Sequence, residues 1–590
     1  MIMVASIAPG RSSAAAGTLL LTGIVLAALT EALAGTVLSL GRGDIIGDTS
    51  ATPDEFAWLD IGYIALKLIG FMTAPWLMSR IDPRSVLVTA TLAMGLASGI
   101  AAMTARLDLL IGLRVVQGLS GGTLLVAGQA LIFLRFPRAQ QPLHQALFAM
   151  GAVVAPGTLA PALQGWLLDA QAWTWIFFSI VPLALTAAGL LLLADGPMPE
   201  RNVRRPFDWL GVALISVTFF CLTYVLTQGS RWDWFEEPRI LWLTLTGAAA
   251  LLAFLAQQAL AGGRGLIDVS LFGPNDFTFA FIVSFVAGAA LSGSAFVIPA
   301  FATSVLAFTP SEAGALLLPS GAPFIGTLLL VALLVQFRRL PPFATVPFGI
   351  LILMSGMWLL SGSTSESGAD DMMAGVLLRG LGLGFLFLSI TLIAFSHLDA
   401  RQLAGGIGLF NTGRQLGGLM GIAALQTLIE HHTIANLAVL GANVAAGKPA
   451  VIERLTATAA MLTAKGMDAA VAGRAAASLL GRAVTGQSAV IAFDTAFNAV
   501  ALLFVVAAPI LVAIKIAFAK LEKHAEAASG TIVPKPSPPI QKETERETAP
   551  AGSLGRTASA DNDSRAGVRA DGAVAKVRDS EEAPKLEPAA

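Results

Sequence analysis

Between Leu110 and Gly122 the chain reads LIGLRVVQGLSGG, an apolar run broken by the charge of Arg114 and the amide of Gln117. On a helix Arg114, Gln117, Gly118 and Gly121 recur at i, i+3, i+4 and i+7, so charge, amide and two glycines share one face. An arginine near membrane depth costs several kcal/mol unless it meets a partner or water, which makes it a functional candidate. Glycines on that face let a neighbouring backbone come close. Arg114 lies about five residues, ~8 Å, inside its apolar run, so snorkelling to the interface is the alternative.

Two other runs carry groups at similar depth. Glu31 sits about nine residues from the end of the first, and Lys67 lies about as deep in the second. With Lys67 come Asp60, Tyr63 and Gly70 at i, i+3, i+7 and i+10, a polar stripe along one helix face. A carboxylate and two cations at one depth can pair, which is how such charges are tolerated in a bilayer. Glu31 so placed is either a static ion-pair member or a proton carrier. Desolvation favours its neutral form and the cations its charged one, so protonation can switch it. Pro156 and Pro161 flank Gly157 in the fifth run. Proline within a spanning helix kinks it and frees backbone groups, giving either a fixed kink or a hinge.

The elements that must hold these groups follow from composition. Of 590 residues, 55% are hydrophobic and 13% charged, against about 25% charged in soluble domains. Apolar runs of about 20 residues number fourteen. They are continuous rather than alternating, which predicts helices and not barrel strands. The expected architecture is therefore an all-α integral membrane protein with 14 transmembrane helices. The net charge of −1 gives no reason to expect nucleic acid as a partner. The single cysteine, Cys221, excludes an intrachain disulfide framework and a cysteine metal cluster. His431, His432 and His397 have no second ligand type at metal spacing, so no metal site is expected. There is no Walker-type phosphate loop, which argues against an ATP-driven pump, and no cofactor is implied.

The runs also repeat. Leu113-Arg114 and Leu378-Arg379 occupy the fourth and twelfth. Leu147-Phe148-x-x-Gly151 with Leu163-Gln164 in the fifth matches Leu409-Phe410-x-x-Gly413 with Leu425-Gln426 in the thirteenth. Parallel repeats of six spans build two halves around a midplane site. The expected domains are a cytoplasmic N-terminus (1–15), a six-helix half (16–194) and two inserted helices (208–260). A second six-helix half (277–515) would carry a long outer loop (429–487), and residues 525–590 would form a disordered cytoplasmic tail.

Arginine placement sets the orientation. With the N-terminus inside, the short inner loops hold Arg80, Arg84, Arg135, Arg138, Arg201, Arg204, Arg205, Arg264, Arg338, Arg339 and Arg401. The short outer loops hold only Arg42, Arg106, Arg231 and Arg239. Both termini are expected in the cytoplasm, with the chain in the inner (cell) membrane.

At this point the chain resembles the major facilitator superfamily, in particular its fourteen-span drug:proton antiporter branch. The likeness rests first on Leu110-x-x-x-Arg114-x-x-Gln117-Gly118-x-Ser120-Gly121, with Ser120 where a glycine is usual. It rests next on Ala160-Pro161-x-Leu163-Gln164-Gly165, in which two of that motif's glycines are replaced. Asn411-x-x-Arg414-Gln415-Leu416-Gly417-Gly418 adds to it. In the loop after the second span, Ser79-Arg80-x-Asp82-Pro83-Arg84 lacks the aspartate that latches the family's cytoplasmic gate, leaving Asp82 as its substitute.

The resemblance implies a proton-coupled exporter of small organic or drug-like molecules, working by alternating access. Proton coupling would fall to Glu31, Arg114 and Lys67, and substrate contact to Gln117, Tyr63, Arg379 and Asn411. Gating would fall to Arg80, Asp82, Arg84, Pro156 and Pro161. Its partners would be substrate, protons and the bilayer, and a periplasmic adaptor protein is a partner the exporter reading admits. The alternative is uptake of an organic anion into a positive pocket of Lys67, Arg114 and Arg379. A membrane-embedded enzyme or a sensor is a third reading, but no nucleophile–base pair or metal cluster lies in the spans and no signalling domain is attached.

The orientation yields a direct test. In a background lacking Cys221, a cysteine at Ser365 is expected to react with an impermeant thiol reagent on intact cells. One at Asn202 should react only after permeabilisation, and the opposite pattern would invert the topology.

Overall fold

The computed structural model describes residues 11–528 apart from 195–205, 262–264, 273–274, 397 and 446. The first ten residues, Arg201, Arg204, Arg205, Arg264, His397 and the tail beyond 528 therefore lie outside the described residues. The described secondary structure is entirely helical.

Local sequence explains where the helices start. α1 (Arg11–Thr36) and the short α2 (Arg42–Thr49) precede α3 (Pro53–Arg80). Thr52 caps α3: its hydroxyl accepts from the Glu55 N–H at 3.3 Å, while Glu55 accepts from the Thr52 N–H at 2.8 Å, with Pro53 in the first turn. Asp82 caps α4 (Pro83–Ala101) by accepting from the Ser85 N–H at 3.1 Å. α5 (Leu107–Arg135) follows. The fifth run divides into α6 (Gln141–Ala149), a π-helical turn at Met150–Val154, α7 (Ala155–Gly157) and α8 (Leu159–Ala170). The two arms are bent by 45° at Thr158, beside the prolines that made a kink expected. α9 (Thr174–Leu193) completes this group.

α10 (Trp209–Gln228) and α11 (Pro238–Leu260) pair with each other, and α10 lies against α3. Asp208 caps α10 and binds the chain that leaves α11, accepting from Gln257, Gln258 and the Leu266 N–H. Burial works against its charge, but these bonds and one from the Gly211 N–H hold the carboxyl below the usual carboxylate range. The second group comprises α12 (Asn275–Ser304), α13 (Pro310–Leu317), α14 (Gly321–Arg338), α15 (Val346–Leu360), α16 (Ala369–Phe395) and α17 (Ala400–Asn443). After α18 (Pro449–Ala464), α19 (Ala469–Ala528) closes the chain.

Among the described residues, 12 helices are long and apolar enough to cross a membrane, and the bent α6–α8 pair brings the number to 13. α17 occupies the place of the remaining expected span. It is rich in glycine and polar residues, which dilutes its hydropathy. Outward faces stay apolar: Leu185, Leu192, Trp242, Leu252 and Leu351 are all exposed, as lipid contact requires. The stretch at 429–487 is largely helical, because alanine-rich sequence prolongs α17 and α19 beyond the bundle.

The two groups meet along α8 with α13, α6 with α14, and α3 and α5 with α17. Glycine permits the closest approaches. A Cβ at Gly118 would overlap the Tyr63 carbonyl, and one at Gly122 the Lys67 carbonyl, so α5 presses onto the α3 residues that carry the polar stripe. Gly118→Val is therefore expected to cost about 1–3 kcal/mol by overpacking. It should lower the melting temperature of the purified protein. Gly112→Ala, with nothing within 4 Å of the added carbon, should not lower it.

Candidate functional site

Close packing of α5 on α3 sets the first cluster. Glu31 on α1 is only 2% exposed and forms an ion pair with Lys67 of α3. Tyr63, one turn before Lys67, donates its hydroxyl to the Glu31 carboxylate at 3.0 Å. The other side of the Tyr63 ring system serves Arg114, whose guanidinium lies 4.0 Å from the ring centroid. Arg114 also donates to the Ala34 carbonyl at 2.8 Å and the Gln117 amide oxygen at 2.9 Å, and stands 3.9 Å from Asp60. Two acids and two cations are thus threaded on one tyrosine, each ion with an opposite charge in reach.

This cluster forms one wall of a cavity of about 760 Å³ between the two helix groups. Glu31, Tyr63 and Lys67 face Phe296 and Pro299 of α12 and Arg414 of α17 across it. Pro156, Gly157 and Pro161 supply a third side. The volume falls within the ~300–1,000 Å³ of small-molecule sites. At its α17 side Arg414 lies 5.1 Å from the Phe387 ring centroid and donates to Asn411 at 2.7 Å. Asn411 donates to Gln129 of α5 at 3.1 Å, and Gln129 to Gln145 of α6 at 3.3 Å. This buried amide chain crosses between the groups next to the Phe133–Phe395 ring contact and the approach of Gly408 to the Phe71 carbonyl.

The structure sorts the residues singled out by sequence. Glu31, Lys67, Tyr63, Pro156 and Pro161 line the cavity. Arg114 joins their network through Tyr63. Gln117 points away, fully buried, and donates to Ser98 of α4 at 3.1 Å. Arg379, 1% exposed, donates through Nε to Ser294 at 2.8 Å, and its Nη1 and Nη2 have no hydrogen-bond partner. Asn411 takes part in the amide chain. Arg80, Asp82 and Arg84 lie together at the arginine-rich end. Arg80 stacks over Trp76, Asp82 caps α4, and Arg84 donates to the Leu191 and Leu192 carbonyls at the C-terminus of α9.

Three participants were not singled out from sequence. Arg414 was visible within the Asn411-x-x-Arg414 motif. Gln129 carries no local signal, since its partner is 282 residues away. Gln164 ties α8 to α1 through the Leu33 carbonyl at 3.0 Å and the Thr36 hydroxyl at 2.9 Å. It does so from a position where the resembled motif has glycine. No group of three or more His, Cys, Asp or Glu that could hold a metal occurs among the described residues.

A family profile described as Major Facilitator Superfamily matches residues 19–422. The multidrug export protein EmrB of Escherichia coli (strain K12) is 26% identical over 409 residues, covering 68% of this chain and 78% of that protein. The protein of the same name from Haemophilus influenzae is 27% identical, covering 70% and 82%. The fatty acid resistance protein FarB of Neisseria gonorrhoeae is 27% identical, covering 69% and 81%. Among solved structures, an inward-facing bacterial homologue of the human lysosomal transporter Spinster aligns at 16% identity with a TM-score of 0.49. It covers 86% of this chain and 98% of that one.

The Glu31–Lys67 pair yields a stability test. Glu31→Gln leaves Lys67 without its counter-charge, which costs about 3–5 kcal/mol for a buried pair. A proton carrier, whose neutral state the transport cycle visits, predicts a folded variant that loses only coupling, whereas a purely static pair predicts reduced yield and a lowered melting temperature. Adding Lys67→Met should restore both, whereas no recovery would make Arg114 or Arg414 the effective partner.

Proposed function

Because this chain belongs to the major facilitator superfamily, we propose that it is a proton-coupled exporter of small organic or drug-like molecules that works by alternating access. The observation that carries this reading is a buried carboxylate, Glu31, tied to Lys67 and Tyr63 on the wall of a drug-sized cavity between two helix groups. The names of the relatives, multidrug export proteins among them, support export over uptake. The three-cation pocket of the uptake reading finds no support, since Lys67 is paired with Glu31 and Arg114 faces Asp60 and the Tyr63 ring.

The charged Glu31 holds α1 to α3 through Lys67 and Tyr63. Protonation removes the charge, releases the Lys67 ammonium toward the cavity and loosens that clamp. The bend at Thr158, where α8 packs on α13 of the other group, lets the bundle flex as the clamp changes. At the arginine-rich end the Asn411–Gln129 bond and the Phe133–Phe395 contact close the path, and they must part for the cavity to open there. Arg84 holds α4 and α9 as a unit during that movement. The positive-inside rule makes this the cytoplasmic end, with both termini inside and the chain in the inner membrane. The prolonged α17 and α19, with α18, then project outward, where a periplasmic adaptor protein would meet them.

Proteoliposomes test the coupling. With Glu31→Gln, uphill transport driven by an imposed pH gradient should fall to background, while downhill exchange of the same compound persists. Full gradient-driven transport by a well-folded Glu31→Gln protein would remove Glu31 from the proton pathway.

A further inference from the structure

The two halves of the cavity treat their charges differently. On the α1–α3–α5 side Glu31 meets Lys67, and Asp60 stands by Arg114. On the α12–α16–α17 side neither arginine forms an ion pair among the described residues. Arg414 lines the cavity, held by the Asn411 amide and the face of Phe387; Glu31, already paired with Lys67, is the acid whose charge reaches it. Arg379 is 1% exposed and bonds only Ser294, with Nη1 and Nη2 unsatisfied. Its Nη2 faces Gly157, which lines the same cavity. Asp494, another acid of this half, forms no ion pair with either arginine.

A guanidinium withdrawn from water without a counter-charge is strongly disfavoured. Two in one wall leave the cavity with an excess of positive charge even when Glu31 is ionised. The counter-charge missing from the protein has one open place to come from, the cavity itself. Guanidinium groups present paired N–H donors that match a carboxylate. Beside Ser292, Thr303 and Gln415, the lining here carries the apolar Leu291, Phe296, Pro299, Leu419 and Ile422.

We propose that Arg414, backed by Arg379, forms an anion subsite that selects organic anions with an apolar body as cargo. This rests on the exporter reading and narrows its substrate class. An anion leaving a negatively charged cell interior moves down the membrane potential, so such a cargo suits export. Arg414 makes the direct contact, while Arg379 acts from behind Gly157 by adding to the positive potential.

Three probes of one shape separate charge from hydrophobicity: radiolabelled 2-naphthoate, 2-naphthamide and 2-naphthyltrimethylammonium. Binding is measured at equilibrium to the full-length protein in nanodiscs of zwitterionic phosphatidylcholine, so that anionic lipid cannot occupy the subsite. The naphthoate should bind saturably and at least about tenfold more tightly than the other two. Arg414→Gln should lose about tenfold or more of naphthoate affinity with naphthamide unaffected, and Arg414→Lys should recover part of it. Arg379→Gln should show a smaller loss in the same sense. Equal binding of the three probes to the unmodified protein, or unchanged naphthoate affinity in a folded Arg414→Gln variant, would overturn the proposal. The comparison of probes needs no variant, so it stands even where a substitution fails to fold. Binding requires no proton gradient either, so a negative result leaves the exporter reading in place.

Discussion

A charge buried among membrane helices has to be neutralised by the protein itself, and in this chain that constraint runs through Tyr63. Its hydroxyl serves Glu31 and its ring face serves Arg114, so one side chain settles two charges of opposite sign. This works only if α5 lies against the α3 backbone at Tyr63 and Lys67. Gly118 and Gly122 are therefore as much a part of the charge network as the ions are. Bulk at either glycine would part the helices and leave Arg114 facing lipid or void.

The internal repeat makes the same constraint visible by contrast. Leu113-Arg114 and Leu378-Arg379 occupy matching places in the two halves. Yet Arg114 is held by a carbonyl, an amide, a ring and a distant carboxylate, while Arg379 is held by one serine. The backbone packing is conserved in kind: a Cβ at Gly380 would strike the Ser320 carbonyl much as one at Gly118 would strike that of Tyr63. Related scaffolds thus carry opposite electrostatic outcomes. The first half sets its charges against one another, although the Arg114 Nε and Nη2 also have no hydrogen-bond partner, and the second holds its arginines outside any ion pair among the described residues.

Much of this was legible in sequence because bilayer physics is coarse. Long apolar runs must be helices, and Glu31, Lys67 and Arg114 stood out because so few charges interrupt them. Equal depth was enough to suggest that Glu31 and Lys67 could pair. Depth says nothing about azimuth, however, so Arg114 could not be assigned to the Tyr63 ring, nor Gln117 to Ser98. The bond between Asn411 and Gln129 joins residues 282 positions apart, and no local pattern encodes it. α17 was counted among the apolar runs, yet its glycines and polar groups dilute its hydropathy, and it is not among the helices apolar enough to be recognised as spans from the structure. Prolonged α17 and α19 were hard to foresee, since alanine-rich sequence reads equally well as short separate helices.

Those prolonged helices carry a mechanical consequence. α19 is 60 residues long, ~90 Å at roughly 1.5 Å per residue, against a hydrocarbon core of about 30 Å. α17, at 44 residues, likewise overshoots the bilayer. A stiff rod clamped in the moving half magnifies its tilt: about ten degrees at the membrane becomes ~4–5 Å at a tip some 25 Å away, a length of about 17 residues. The projecting hairpin is thus a lever, and anything resting on it would register the conformation of the buried core without touching the cargo.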